Sequence, residues 1–302
     1  MGAWGGRAGG VGETELIFMI SIIVPAHNEC QVIARTLKAM TSDANPGELD
    51  IVVVCNGCQD DTAAVARRFG GSVRVIETPI AGKTHALNLG DSVAQGFPRI
   101  YVDADVILTV DSIRRLARRL DRRLNQRDVL AVAPMPTYDL TGCSWAVRAF
   151  YDIRSLLPSA KEGIGGSGVY ALSESGRRRF AEFPAVTADD GYVRIHFQAD
   201  ERETVADARS TVFPPRTVRD LIVTKTRAHF GSFELMSLFP ELWRNRGESN
   251  NNSLLRLFKH PRLWMKLTIY CLVTAWAKQR AKKRLGSTST VWERDDTSRV
   301  MA

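Results

Sequence analysis

Cysteine is scarce in this chain, and what there is forms no framework. The 302 residues hold five cysteines, an odd number, which points to reduced thiols in a cytoplasmic setting rather than a disulfide scaffold. Cys55 and Cys58 make a C-x-x-C pair, but no second pair at zinc spacing and no neighbouring histidine pair accompanies it, so a structural zinc or a redox centre is not expected. The glycine-rich opening, Met1 to Gly12, lacks the apolar core of a signal peptide. A disordered extension over 1–18, just upstream of Met19, is expected, and a disordered tail over 286–302. Leu263 to Ala277 is largely apolar but contains Lys266 and falls short of the about 20 apolar residues that a membrane span needs. There is no RRM, zinc-finger or helix-turn-helix signature beside the formal net charge of +8 and the pI of 9.4. The basic balance therefore points away from nucleic acid and towards nucleotides or an anionic lipid surface. The glycine run Gly163–Gly168 is not followed by the Lys-Ser/Thr of a phosphate loop. No internal repeat is present.

What the chain does have is an ordinary globular balance, 44% hydrophobic and 25% charged, arranged as alternating strands and helices. Ile20–Val24 reads as a strand stopped by Pro25, and Gln31–Met40 as a helix with apolar residues at Val32, Ile33, Leu37 and Met40. Asp50–Val54 reads as a second strand, with Asp60 or Asp61 capping a helix through Phe69. Val73–Ile76 is a third strand, and Gly82–Lys83 opens a helix over Thr84–Ala94. This alternation predicts an α/β fold with a mostly parallel sheet, and ligands on such sheets collect beyond the carboxyl ends of the strands. Four loops gather there: His27–Glu29, Cys55–Asp61, Gly82–Lys83 and Asp103–Asp105.

The last of these is the focus. An apolar strand leads into Tyr101-Val102-Asp103-Ala104-Asp105. Two carboxylates spaced i, i+2 at a strand end point the same way and repel unless a cation sits with them. A hard divalent ion, which binds oxygen ligands and substrate phosphates, suits that place; the alternative is a solvated turn with two aspartates. Ser112–Asn125 is a strongly basic helix whose apolar stripe is Ile113, Leu116, Leu120 and Leu124, read as a solvated arginine face. Beyond it the pattern loosens: a short strand at Ala131–Ala133, the glycine loop, a strand at Val169–Leu172, and a second acidic pair in Thr187-Ala188-Asp189-Asp190-Gly191-Tyr192.

The order of these loops resembles the family-two, GT-A-type inverting glycosyltransferases. Val24-Pro25-Ala26-His27-Asn28-Glu29 is similar to their opening motif, Val53–Thr62 to their second-strand motif, and Gly82–Gly90 to the third. Asp103-Ala104-Asp105 is similar to their D-x-D metal motif, and Ala188-Asp189-Asp190 falls where the family carries its catalytic base. The match runs from about Ser21 to about Gly231. It implies a GT-A-type nucleotide-diphospho-sugar transferase fold, a mostly parallel central sheet flanked by helices with a C-terminal helical appendage. The domain would cover 19–235, a nucleotide-sugar half over 19–110 and an acceptor half over 111–235, followed by a helical segment over 236–285. By resemblance, Pro25, Glu29, Asn56, Lys83, Asp103 and Arg227 would bind the donor nucleotide and its diphosphate. Asp105 with Asp103 would hold Mn²⁺ or Mg²⁺, and Asp190 would deprotonate the acceptor. Asn56 stands where many members have an aspartate, so the base contact here would come from an amide. The implied partners are a nucleotide-diphospho-sugar, a UDP-sugar first, and a glycan or lipid-linked acceptor in polysaccharide, glycolipid or cell-envelope glycan synthesis, with no nucleic acid.

The chemistry follows from the residue types as well. Breaking a sugar–diphosphate bond leaves negative charge on the departing phosphate, which a divalent cation stabilises. An acceptor hydroxyl needs a carboxylate within hydrogen-bond reach to take its proton. One base opposite the leaving group implies a single displacement with inversion. Of Asp189 and Asp190, one is expected to be held by a neighbouring arginine while the other serves as base. The Q-x-x-R-W motif and the membrane helices of processive synthases are absent; Thr224–Phe230 occupies a similar place, where Arg227 either contacts diphosphate or is a surface arginine. A single-sugar transferase is favoured over a polymerase. The alternatives are a catalytically silent nucleotide-sugar-binding or scaffold protein, and a nucleotidyltransferase, which would need a basic glycine-rich loop after the first strand. Arg262–Arg284, with Trp264, Tyr270 and Trp276 and a basic end, reads either as an amphipathic helix on the inner face of a membrane or as a helix packed on the domain or on a partner chain.

Overall fold

The structure, a computed structural model, describes residues 19–121, 128–161, 164–247 and 250–285. The expectations for 1–18 and 286–302 lie outside the described residues, as do Arg122, Arg123 and Leu124 of the basic helix.

The strands are β1 (Ile20–Ala26), β2 (Leu49–Asn56), β3 (Val73–Thr78), β4 (Arg99–Val102), β5 (Ile107–Leu108), β6 (Ala131–Tyr138), β7 (Val169–Leu172) and β8 (Arg202–Val212). The helices are α1 (Ile33–Thr41), α2 (Thr62–Arg67), α3 (Lys83–Val93), α4 (Val110–Leu120), α5 (Trp145–Leu156), α6 (Glu174–Arg177), α7 (Asp189–Ile195), α8 (Val218–Leu238), α9 (Asn251–Leu257) and α10 (Trp264–Leu285). One eight-stranded sheet runs β3-β2-β1-β4-β7-β6-β8-β5. Pairings among the first four strands are parallel, as the alternation predicts. β7 enters antiparallel to both β4 and β6, β8 lies parallel to β6, and β5 closes the edge antiparallel to β8. The sheet is therefore parallel in its first half and mixed in its second.

The parallel half is covered on both faces. Every residue of β2 is buried, and its side chains alternate between two layers. Ile51, Val53 and Cys55 pack with Ile33, Leu37 and Met40 of α1 and with Ala63 and Ala66 of α2. Val52 and Val54 pack under Ala86 of α3. A continuous apolar run is what such a strand requires, and each fully buried Val, Ile or Leu contributes about 1.5–3 kcal/mol over exposure. α3 sits close on β1: a Cβ on Gly90 would fall 2.6 Å from Cγ2 of Ile23, so glycine is needed for that approach. Pro25 lies inside β1 rather than ending it. The β1–β4 register stops at Ile23↔Tyr101 while β1–β2 continues to Ala26↔Cys55, so Pro25 has a strand neighbour on one side only, a position that tolerates proline.

The chain lays down β1, β2 and β3 to one side and returns to place β4 on the other side of β1. The carboxyl ends of β1 and β4 thus flank a topological switch point, where a crevice forms. In α4 the apolar stripe Ile113, Leu116 and Leu120 is buried. Its arginines pair with domain carboxylates, Arg114 with Glu48, Arg115 with Asp207 and Arg119 with Glu203, which makes this a solvated, ion-paired face. α10 is docked on the domain: Leu267, Tyr270 and Val273 share a core with Val147, Phe150 and Ile153 of α5 and Leu221 of α8. α8 itself crosses residue 235, so the C-terminal helices continue the domain without a break there. Among the described residues no helix is long and apolar enough to cross a membrane.

Candidate active site

A cleft of about 1100 Å³ opens at the carboxyl ends of β1, β2 and β4, and all eight site residues named from the sequence line it: Pro25, Glu29, Asn56, Lys83, Asp103, Asp105, Asp190 and Arg227. One wall is the loop after β1, tied to the loop after β2 by four hydrogen bonds. Gln59 N donates to Asn28 Oδ1 at 2.7 Å, Glu29 N to Thr62 Oγ1 at 2.7 Å, Cys30 N to Asp60 Oδ2 at 3.2 Å, and Asn28 N to Cys58 Sγ at 3.4 Å. Asn28 holds a left-handed φ of 54°, a conformation asparagine tolerates better than most residues. Burial raises the Asp60 carboxyl, but its hydrogen bonds from Thr62 and Cys30 outweigh that and hold it below its ordinary value. Cys58 acts here as a clasp between the loops, and all five cysteines are free thiols.

Asn56 is buried at the end of β2. Its Oδ1 accepts from Gly82 N at 3.0 Å and its Nδ2 donates to Ala26 O at 2.9 Å. Both ends of the amide thus engage backbone, clamping the start of α3 to the end of β1. The sequence gives this amide a place at the nucleotide base; in the structure it lines the cleft and also holds the frame of the pocket together.

The D-x-D carboxylates sit one step beyond the strand. β4 ends at Val102, and Asp103–Val106 is a turn closed by Val106 N donating to Asp103 O at 3.1 Å. Strand alternation therefore does not align the two side chains. Three backbone anchors do: Asp103 N donates to Gly168 O at 2.8 Å, Thr36 Oγ1 to Ala104 O at 2.8 Å, and Arg35 Nη2 to Asp105 O at 3.3 Å.

Lys83, the first residue of α3, links the two acidic pairs. Its Nζ lies 2.6 Å from Asp103 Oδ1 and 2.9 Å from Asp189 Oδ1. Burial alone would lower the lysine, but the two carboxylates outweigh it and hold the ammonium charged well above its ordinary range. Asp189 is 4% exposed, and its second oxygen accepts from the Tyr170 hydroxyl at 3.1 Å. Tyr170 stacks on Tyr101 with ring centroids 4.8 Å apart. The Tyr101 hydroxyl reaches Asp91, which also takes Arg99 at 2.6 Å and Arg177 at 2.5 Å. The partner that holds one aspartate of the second pair is thus a lysine and a tyrosine, not an arginine. Asp190, next in sequence, is placed differently. Its oxygens accept from backbone N–H groups, Gly166 at 3.2 Å and Gly191 at 2.7 Å, and no cation pairs with it among the described residues. Gly166 holds φ +78°, so the glycine loop supplies an N–H from a backbone conformation that other residues disfavour.

The far end of the cleft was not foreseen. Arg154 of α5, Lys225 beside Arg227 on α8, Tyr138 of β6 and Tyr151 line it. A signal was available: Val147, Phe150, Tyr151 and Arg154 follow i, i+3, i+4, i+7, which puts an arginine on the apolar stripe of its helix.

Metal fit can be judged from the donor set. Among the described residues no group of three or more His, Cys, Asp or Glu side chains converges. Asp103 and Asp105 offer carboxylate oxygens only, which suits Mg²⁺ or Mn²⁺ bound through one or two carboxylates with substrate phosphates completing the shell, and does not suit a soft-metal or structural zinc site.

Residues 21–150 match the family model described as glycosyl transferase family 2. A 4,4'-diaponeurosporenoate glycosyltransferase of Staphylococcus aureus is 29% identical over 173 residues, 56% of this chain and 43% of the relative. The chain spans less than half the length of the curated relatives it matches. A mannosyltransferase from Pyrobaculum calidifontis, solved with GDP-Man and Mn²⁺, superposes with a TM-score of 0.65 at 19% identity, over 90% of this chain and 88% of the other. Glucosyl-3-phosphoglycerate synthase from Mycobacterium tuberculosis, solved with Mg²⁺ and UDP, superposes with a TM-score of 0.50 at 19% identity, over 78% and 85%. At such identities these likenesses speak for the fold.

Proposed function

We propose, from the match of residues 21–150 to the glycosyl transferase family 2 model and from the fold, that the protein is a metal-dependent, inverting glycosyltransferase that moves one sugar from a nucleotide-diphospho-sugar to an acceptor hydroxyl. The observation that carries this is the pairing of two unlike carboxylate sites in one cleft. Asp103 and Asp105 line the cleft with Asp103 bound to Lys83; Asp190 lines the same cleft without a cationic partner among the described residues.

In this reading the β1 and β2 loops, with Pro25, Glu29 and Asp60, receive the nucleoside, and Asp103 and Asp105 would hold the divalent ion. When bound, that ion neutralises the charge that develops on the diphosphate leaving group. Lys83 keeps Asp103 and Asp189 fixed. Asp190 accepts the proton of the acceptor hydroxyl as its oxygen attacks the anomeric carbon; the C–O bond to the diphosphate breaks as the new C–O bond forms, and the diphosphate carries off the electron pair. Gly166 N–H and Gly191 N–H orient the base. Attack opposite the leaving group inverts the anomeric centre. A silent binding protein would have no use for a carboxylate left without a cation beside the ligand cleft.

Donor recognition is tested by thermal shift against UDP-, GDP- and dTDP-sugars with Mn²⁺. The true donor at a hundredfold excess over its Kd is expected to stabilise the fold by about 2.7 kcal/mol, several degrees in Tm. No shift with any nucleotide would overturn the reading; a shift with no turnover on any acceptor would favour the silent binder.

The C-terminal helix supports attachment to the inner face of a membrane. One face of α10 is docked, with Tyr270 stacked 4.9 Å from Phe150. The other exposes Met265, Leu272 and Trp276 at 63–67%, spaced 7 and 4 residues apart on one stripe, with Arg262, Lys278, Lys282 and Lys283 exposed around it. That pairing of apolar stripe and cations fits an anionic lipid surface. Removing the whole helix would strip a core layer from α5 and α8, so the informative variant is the triple change Met265→Ser, Leu272→Ser, Trp276→Ser. The wild type is expected to float with anionic liposomes and the triple variant to stay at the bottom of the gradient. Equal flotation of both would exclude this face as the contact.

A further inference from the structure

The cations at the far end of the cleft have no task in the donor chemistry set out above. Arg154 donates from Nε to the Tyr138 hydroxyl at 3.3 Å, and neither Arg154 nor Lys225 forms an ion pair among the described residues. The Lys225 ammonium lies 5.6 and 5.4 Å from the ring centroids of Phe150 and Tyr151. Burial first, then Arg154 and Arg227, push Lys225 well below its ordinary value. Burial, Lys278, Lys225 and Arg154 likewise push His229 down to about 4. The groups facing Lys225 are thus cationic or aromatic. Like charges gathered in a half-buried pocket are costly when nothing neutralises them, and a cleft that keeps such a group is a candidate binding site.

The position of the cluster says which substrate it serves. At the acidic donor end the cation is Lys83, already paired with Asp103 and Asp189. Arg154 lies against the glycine loop: a Cβ on Gly166 would fall 2.6 Å from Arg154 Nη2, and the same Gly166 donates its N–H to Asp190. One loop residue separates the guanidinium from the base.

We propose that Arg154 and Lys225 form a phosphate subsite for the acceptor, so that the acceptor is a phosphorylated compound whose attacking hydroxyl lies within a few bonds of its phosphate. This rests on the glycosyltransferase reading and names the acceptor class for the same site. A guanidinium presents paired donors to phosphate oxygens and an ammonium adds a point charge; the aromatic rings beside them accept the apolar part of the same molecule. The phosphate belongs either to a lipid or to a soluble metabolite, and the two share this recognition chemistry.

The decisive measurement is calorimetric titration of inorganic phosphate into the full-length protein saturated with UDP and Mn²⁺. Phosphate is expected to bind the wild type. Arg154→Gln and Lys225→Met are each expected to weaken it by about tenfold or more, with UDP affinity and Tm unchanged and with Arg154→Lys recovering part of the loss. Phosphate affinity unaltered in both variants would overturn the proposal. So would variants that lose UDP affinity instead, since that assigns the cluster to the donor diphosphate. If UDP fails to bind at all, the glycosyltransferase reading falls, and the phosphate titration on the free protein still decides the subsite. Transfer assays then sort the source: a lysophosphatidic acid in detergent, whose free glycerol hydroxyl lies next to its phosphate, and a soluble sugar phosphate, each beside its dephosphorylated form. Preference for either phosphorylated form supports the subsite, and equal transfer to the dephosphorylated forms counts against it.

Discussion

Asp190→Asn is expected to lower kcat by about 10²–10⁴-fold, the range that general-base catalysis supplies, while leaving donor affinity and Tm close to wild type. The substitution keeps the shape of the side chain but removes its charge and its ability to take a proton, and it leaves one amide oxygen to accept from the two N–H donors, Gly166 and Gly191. Its neighbour predicts a different failure. Asp189 is buried, with one oxygen on Lys83 and the other on Tyr170, so Asp189→Asn leaves a buried ammonium with one carboxylate instead of two. That change is expected to lower stability and weaken donor binding through Asp103, which shares Lys83. Steady-state kinetics, donor titration and thermal melting on the two variants separate the roles. If Asp189→Asn loses turnover with Tm unchanged and Asp190→Asn does not, the base has been assigned to the wrong neighbour.

How much of this the sequence shows depends on the kind of signal. Strands buried on both faces announce themselves: Ile51–Val54 can only be a central strand, because no other element buries four consecutive branched apolar residues alternately against two helical layers. The loops at the carboxyl ends of those strands carry motifs at fixed places, which mark Glu29, Lys83, Asp103 and Asp105; Asp190, in the first turn of α7, is marked by its acidic pair alone. What was not legible is what each polar group does with its second hand. Asn56 has the position of a base contact, yet its amide bonds to the backbone of Ala26 and Gly82; a sequence shows the amide and not its partners. Strand pleat would align Asp103 with Asp105, whereas the strand stops at Val102 and three backbone anchors set the turn.

The second half of the chain is less legible in sequence for a physical reason. β7 pairs antiparallel between β4 and β6, and β8 returns parallel to β6 with a register shift at Pro134/Met135. Neither pairing has the strand–helix alternation that makes a parallel sheet visible. β8 carries buried and exposed residues without a strict period, and α8 is amphipathic only weakly because both its faces meet protein, the domain on one side and α10 on the other. Arg154 was missed there although its spacing on α5 places it on the buried stripe. A charged residue at such a position is a better pointer to a site than one on a polar face, because burial of an unpaired charge must be offset by something that binds.

Removal of divalent metal is expected to abolish turnover, and Asp105→Asn to reproduce most of that loss. A Lewis acid at a leaving diphosphate supplies several kcal/mol of transition-state stabilisation, and each 1.36 kcal/mol is tenfold in rate, so the variant is expected to fall by about 10²-fold or more. Asp105 is the better probe of the pair. Asp103 is bound to Lys83 at 2.6 Å, so altering it disturbs the link to Asp189 as well as the metal. Asp105 lies outside that triad, and its backbone is held independently by Arg35. Asp105→Asn is therefore expected to melt near the wild-type Tm. The wild type is expected to bind UDP more tightly with Mn²⁺ than without, because an ion held by Asp103 and Asp105 would offset the repulsion between these carboxylates and the diphosphate. In Asp105→Asn that difference should shrink, with metal-free UDP affinity equal to or better than wild type, since one negative charge facing the diphosphate has gone. UDP titrations with and without Mn²⁺ on the two proteins read both terms. Full turnover of Asp105→Asn in EDTA, or a Mn²⁺ effect on UDP affinity as large in the variant as in the wild type, would show that this carboxylate does not hold the ion.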